Sequence, residues 1–125
     1  MDVVFINPNS SAKAYQDLAK VYSAMEPPTW ALLLAQACRS KNFEVAILDC
    51  DAERLSLQDS LKRIEELKPR LICFVVYGQN PNSGTTSMIG ATALGAYIRD
   101  HAPEYFICFV GSHTSALPKD VLEYP

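Results

Sequence analysis

Leu71-Ile72-Cys73-Phe74-Val75-Val76 is an unbroken apolar run that starts just after Pro69-Arg70 and stops at Tyr77-Gly78. It is short, rich in β-branched and aromatic residues, and shows no alternation of polar and apolar positions. That is the pattern of a strand covered on both faces, as in a parallel sheet flanked by helices. Three further runs read the same way: Val3 to Ile6, Val45 to Leu48 and Phe106 to Val110.

The segments between these runs carry helical signals. Pro28 suits a first helical turn, and Thr29 to Cys38 continues from it, with Asn42 as a C-terminal stop. Ser56 predicts a cap for a second helix with Asp59 in its first turn and an apolar stripe of Leu57, Leu61, Ile64 and Leu67, ended by Pro69. A third helix is predicted from Thr85 or Thr86 to Asp100 or His101, with Ile89, Ala93, Ala96 and Tyr97 among its inward residues and Pro103 closing it. Another begins at Leu117-Pro118. The stretch from Pro8 to Pro27 is long for a strand-to-helix connection, and Tyr15, Leu18, Tyr22 and Met25 recur in it at helical spacing. The order β-α-β-α-β-α-β predicts a flavodoxin-like or Rossmann-like doubly wound parallel sheet, a three-layer α/β/α architecture with at least four strands.

Composition bounds the function. One hundred and twenty-five residues, 49% hydrophobic and 20% charged, are those of one globular domain, so residues 1–125 are expected to form a single unit. Eleven basic against fourteen acidic residues give a net charge of -3, which argues against a nucleic-acid partner. Charged residues or prolines interrupt every apolar run before membrane-spanning length, and the N-terminus lacks a basic, signal-like start, so a cytoplasmic protein with no membrane partner is expected. Cys38, Cys50, Cys73 and Cys108 show neither a close pair nor metal-ligand spacing and read as reduced thiols, mostly buried.

In an open parallel sheet, ligands bind beyond the carboxyl ends of the strands. That rule selects the loops Asn7-Pro8-Asn9-Ser10-Ser11, Asp49-Cys50-Asp51-Ala52-Glu53, Tyr77 to Gly84, and Gly111-Ser112-His113-Thr114-Ser115. A G-x-G-x-x-G dinucleotide loop and a P-loop are excluded because the first loop holds no glycine. A receiver domain is excluded because Tyr77-Gly78 stands where its phosphoacceptor aspartate would be, and no G-x-S-x-G elbow accompanies His113. Asp49 reads as a cap or loop carboxylate ahead of a ribose contact, and His101 as a partner of its helix dipole. No residue is assigned a catalytic role or a metal.

Val4-Phe5-Ile6-Asn7-Pro8, Pro27-Pro28 with Leu32 to Ala35, Phe43 to Asp49, Ala52-Glu53, Lys68 to Ile72, Val110-Gly111-Ser112-His113 and Ser115-Ala116-Leu117-Pro118 occur in an order that covers nearly the whole chain. Together they resemble the N-terminal cobalamin (B12)-binding domain of B12-dependent radical SAM proteins. The resemblance implies a corrinoid on the C-terminal edge of the sheet, contacted by Asn7, Tyr77, Gly78, Gln79, Asn80, Gly111, Ser112, His113 and Thr114. It implies cobalamin without a histidine ligand from the strand-one loop. It also implies that the chain is the N-terminal fragment of a longer methyltransferase or cyclase, with the radical SAM barrel, its iron-sulfur cluster and its SAM in the missing part; no C-x-x-x-C-x-x-C loop occurs here. The family's fifth strand is missing too, and an open sheet edge would allow a homodimer. Gly90, Ala91, Ala93, Gly95 and Ala96 of the third helix offer either a groove for the nucleotide tail or close packing on the sheet. His113 is either a cofactor contact or a loop-ordering hydrogen bond. The alternatives to a corrinoid module are a flavodoxin-like docking domain that has lost its ligand and, on fold analogy alone, a nucleotide- or flavin-binding enzyme.

Overall fold

The computed structural model describes residues 1–10, 26–77 and 81–123, with the backbone alone at 81–84. Gly78, Gln79, Asn80 and the stripe Tyr15, Leu18, Tyr22 and Met25 lie outside the described residues. The elements are β1 (Val3–Asn7), α1 (Thr29–Arg39), β2 (Val45–Asp49), α2 (Leu57–Leu67), β3 (Leu71–Val76), α3 (Pro81–His101), β4 (Phe106–Gly111), α4 (Ser112–Ala116) and α5 (Pro118–Leu122). All strand pairs are parallel, in the order β2-β1-β3-β4.

This is the doubly wound arrangement that the alternation of strands and helices predicts. Right-handed crossovers place α1, which leads outward from β1 to β2, on one face and α2 and α3 on the other. The core follows that division. Phe5, Cys73 and Val75 pack with Ala31 and Ala35 of α1. On the opposite face, Val4, Ile6, Leu48, Ile72, Phe74 and Val76 meet Leu61 and Ile64 of α2 and Met88, Ala91, Leu94 and Ile98 of α3.

Local signals set the helix boundaries. The N–H of Phe43 donates to the Cys38 carbonyl and that of Asn42 to the Arg39 carbonyl, with Asn42 left-handed at φ 65°, so α1 closes in a Schellman motif. Ser56 Oγ accepts from the Asp59 N–H at 3.1 Å and starts α2, and left-handed Lys68 before Pro69 ends it.

Three expectations need correction. The third helix starts at Pro81, four residues before Thr85, because proline fits the first turn and outweighs the poor helix propensity of Asn82, Ser83 and Gly84. Its inward face is Met88, Ala91, Leu94 and Ile98, with Tyr97 partly buried against them as expected and Ile89 44% exposed. Small and apolar residues occur all round this helix, so its periodicity leaves the phase ambiguous. The fourth run is an edge strand whose first residue, Phe106, is 75% exposed.

Candidate functional site

Strand order β2-β1-β3-β4 puts the reversal of direction between β1 and β3, the place where ligands of such sheets collect. At the end of β1, Asn7 is already engaged. Its side-chain amide donates to Asp49 Oδ1 at 2.8 Å, and the same carboxylate oxygen accepts from the Ala52 N–H at 3.1 Å. Asp49 therefore ties the ends of β1 and β2 together and orders the following turn, a structural task rather than a ribose contact.

The loop after Asn7 is pressed onto α3. Buried Ser10 donates from Oγ to the Ser87 carbonyl at 2.9 Å and accepts at Oγ from the Gly90 N–H at 3.1 Å. A Cβ on Gly90 would overlap the Asn9 carbonyl and Ser10 Oγ, and one on Gly95 would sit 3.2 Å from Phe109 Cζ. Gly90 and Gly95 thus serve close packing, one against the β1 loop and one against the sheet.

The open space lies further along the edge, at the ends of β3 and β4. A cavity of about 500 Å³ is bounded by Trp30 and Leu34 of α1, Tyr77 after β3, and Phe109, Val110 and Gly111 of β4. Thr114 and Ser115 of α4 and Pro118 of α5 complete it. The volume falls in the range of roughly 300–1,000 Å³ usual for small-molecule sites. Trp30 and Tyr77 stack with ring centroids 4.7 Å apart and planes 24° from parallel, which makes one wall aromatic. Thr114 Oγ1 is buried and has no hydrogen-bond partner among the described residues. A Cβ on Gly111 would overlap the Val76 carbonyl oxygen, so glycine is what lets β4 turn into α4 here.

Of the nine residues expected to touch a ligand, Tyr77, Gly111 and Thr114 meet in this cavity. Ser112 lies beside it, and Asn7 is committed to Asp49. His113 Nδ1 is 3.2 Å from Thr85 Oγ1, a hydrogen bond that ties α4 to α3. Trp30 and Leu34 escape a search confined to the loops after the strands. Their signal is position: the first turns of a crossover helix lie at the carboxyl edge of the sheet. Cys73 and Cys108, far apart in sequence, are register partners on adjacent strands. Among the described residues no cluster of three or more His, Cys, Asp or Glu could hold a metal ion, and no helix is long and apolar enough to cross a membrane.

A family model for the B12 binding domain matches residues 15–125. The chain belongs to the B12 binding domain family. No match was found among curated proteins or among solved structures. Membership supports a corrinoid, cobalamin, as the ligand, and the parallel sheet observed here is the fold of that family.

The residues present fit such a group. In this B12 binding domain the cavity is largely apolar with an aromatic wall, which suits a flat heterocycle, and the orphaned Thr114 hydroxyl offers one polar contact. The chain has two histidines. His101 ends α3, where its Nδ1 lies 2.9 Å from the Tyr97 carbonyl and its ring stacks on Tyr97, so His113 is the imidazole next to the cavity.

Proposed function

We propose that this domain is a cobalamin carrier whose cofactor lies across the ends of β1, β3 and β4 with its nucleotide end in the cavity between Trp30, Tyr77 and Thr114. The observation that carries this reading is the aromatic-walled cavity of about 500 Å³ at the ligand-binding edge, lined in part by Thr114, whose buried hydroxyl has no partner among the described residues. Leaving such a hydroxyl unpaired costs about 1–3 kcal/mol, which a hydrogen-bonding ligand would recover. Asn7, Gly78, Gln79, Asn80, Ser112 and His113 belong to the corrin-facing rim in this proposal. Cobalamin supplies organocobalt methyl-transfer or radical chemistry when bound; the residues of this chain bind and orient it and shield it from water.

In the same reading, residues 1–125 are the N-terminal module of a larger B12-dependent radical SAM methyltransferase or cyclase, with the iron-sulfur cluster and SAM on another part of that protein. The order of strand and loop motifs supports it. The exposed edge of β4 is where a further strand or a second copy of the chain would pair.

A second reading, a docking domain that has lost its ligand, draws on the packing at Gly90, where the protein's own Asn9 and Ser10 fill the α3 side of the edge. Hydroxocobalamin mixed with the protein and passed through gel filtration decides between them. Co-elution of the visible absorbance with protein at micromolar concentrations is expected, and complete separation would leave the docking reading.

A further inference from the structure

Cys73 of β3 and Cys108 of β4 are paired in parallel register, and both belong to the α1 side of the sheet. Neighbouring strands lie about 4.8 Å apart, within the roughly 4.4–6.8 Å between Cα atoms that a disulfide spans. The two side chains interact closely enough that each shifts the other's acidity. The two thiols are unequal. Cys73 is 4% exposed in the core, whereas Cys108 is half-buried on the edge strand, two residues from the exposed Phe106. Cys38 of α1 stands near Cys73 but on a different layer, and Cys50 lies in the core on the other face.

We propose that Cys108 and Cys73 form a reversible dithiol–disulfide pair oxidised by a small hydroperoxide, with Cys108 as the attacking and Cys73 as the resolving thiol. Cys108 first releases its proton to solvent. Its thiolate sulfur attacks the peroxide, an S–O bond forms as the O–O bond breaks, and the departing alkoxide or hydroxide takes a proton from solvent. Cys108 is then a sulfenic acid, oxidised by two electrons while the peroxide is reduced. The Cys73 sulfur attacks that sulfur, the S–S bond forms, the S–O bond breaks, and the thiol proton leaves with hydroxide as water. In sum, two thiols and one hydroperoxide give one disulfide, one alcohol (water when the oxidant is hydrogen peroxide) and one water. An exogenous dithiol reverses the change.

The electrostatics agree with this division of labour. The hydrogen bond from Cys73 stabilises the Cys108 thiolate and brings its pKa down from 9.0 to about 7. The same bond and burial push Cys73 up, and burial pushes Cys50 up to about 11, so Cys50 serves as an internal control.

The test treats the whole chain with equimolar hydrogen peroxide, blocks the remaining thiols with an alkylating reagent under denaturing conditions, and maps tryptic peptides by mass. Cleavage after Arg39, Arg54, Arg70, Arg99 and Lys119 leaves the four cysteines on separate peptides. The expected result is a crosslink between the Cys73 and Cys108 peptides that dithiothreitol removes, with Cys50 alkylated and with the crosslink retained in Cys38→Ser. Cys73→Ser should leave Cys108 as a sulfenic acid that dimedone traps. Sulfinic or sulfonic acid at Cys108 with Cys73 still alkylated, a crosslink to Cys38, or four unreacted thiols in the unsubstituted protein would each overturn the proposal. None of these readouts depends on cobalamin.

Discussion

Trp30 and Tyr77 stack on each other in the wall of the cavity, joining the first turn of α1 to the end of β3. Trp30 is the chain's one tryptophan, so its emission reports on this place alone. Cobalamin absorbs in the region of tryptophan emission, and its binding is expected to quench Trp30 in a saturable way. An aromatic stacking contact is worth about 0.5–1.5 kcal/mol, so Trp30→Ala should weaken binding by up to about tenfold and Trp30→Phe by less. Trp30 is 48% exposed, and its loss should leave the thermal midpoint nearly unchanged. Unchanged affinity in Trp30→Ala would remove the aromatic wall from the site.

Gly90 and Gly95 of α3 make opposite predictions. Gly90→Ala drives a methyl group into the Asn9 carbonyl and Ser10 Oγ, a backbone-level clash expected to cost about 1–3 kcal/mol. At Gly95 the methyl would crowd the far end of the Phe109 ring at 3.2 Å and touch Phe74 Cε2 at an ordinary 3.9 Å, and the gain of about 1 kcal/mol in helix propensity offsets that crowding. Urea denaturation should therefore show Gly90→Ala clearly destabilised and Gly95→Ala close to the parent. Equal effects would mean that the β1 loop does not rest on Gly90.

These contrasts also show what can be read in a chain of this kind. β1 and β3 are legible because each is an apolar run with no alternation, and the sheet order then follows from handedness. The loops bearing Tyr77 and Gly111 are legible because a parallel sheet collects ligands at one edge. Ile89 and Ala93 mislead because α3 is apolar or small on nearly every side, so the buried stripe is set by what the sheet presents and not by the helix's own period. Phe106 looks like a core residue until strand order makes β4 an edge. The Cys73–Cys108 pairing needs register, a property of two strands together that neither strand carries by itself.

Acidity of the thiol pair sets a window in pH. Folding lowers Cys108 from 9.0 to about 7, so between these values the folded chain has lost a proton that the unfolded chain keeps, and stability rises with pH. Above about 9 the unfolded chain ionises Cys73 and Cys50 as well, while the folded chain, with both raised, does not, and stability falls again. Denaturation midpoints at about pH 6, 8 and 10 should peak at the middle value, and Cys108→Ser should remove the rise but keep the fall. A rise that persists in Cys108→Ser would assign it to another group.

Thr114 separates the needs of the free domain from those of its ligand. Among the described residues its Oγ1, shut away from water, has no partner, so the hydroxyl weakens the free fold, and valine keeps nearly the same shape without the polar atom. Thr114→Val is expected to raise the stability of the free domain by about 1 kcal/mol while weakening cobalamin binding by about five- to tenfold, because the ligand then loses a buried hydrogen bond. A general packing defect would lower both quantities, and a hydroxyl with no part in binding would leave affinity untouched. Calorimetric melting of the free protein together with titration of hydroxocobalamin distinguishes the three outcomes, and only a stability gain paired with an affinity loss supports Thr114 as the polar anchor of the cavity.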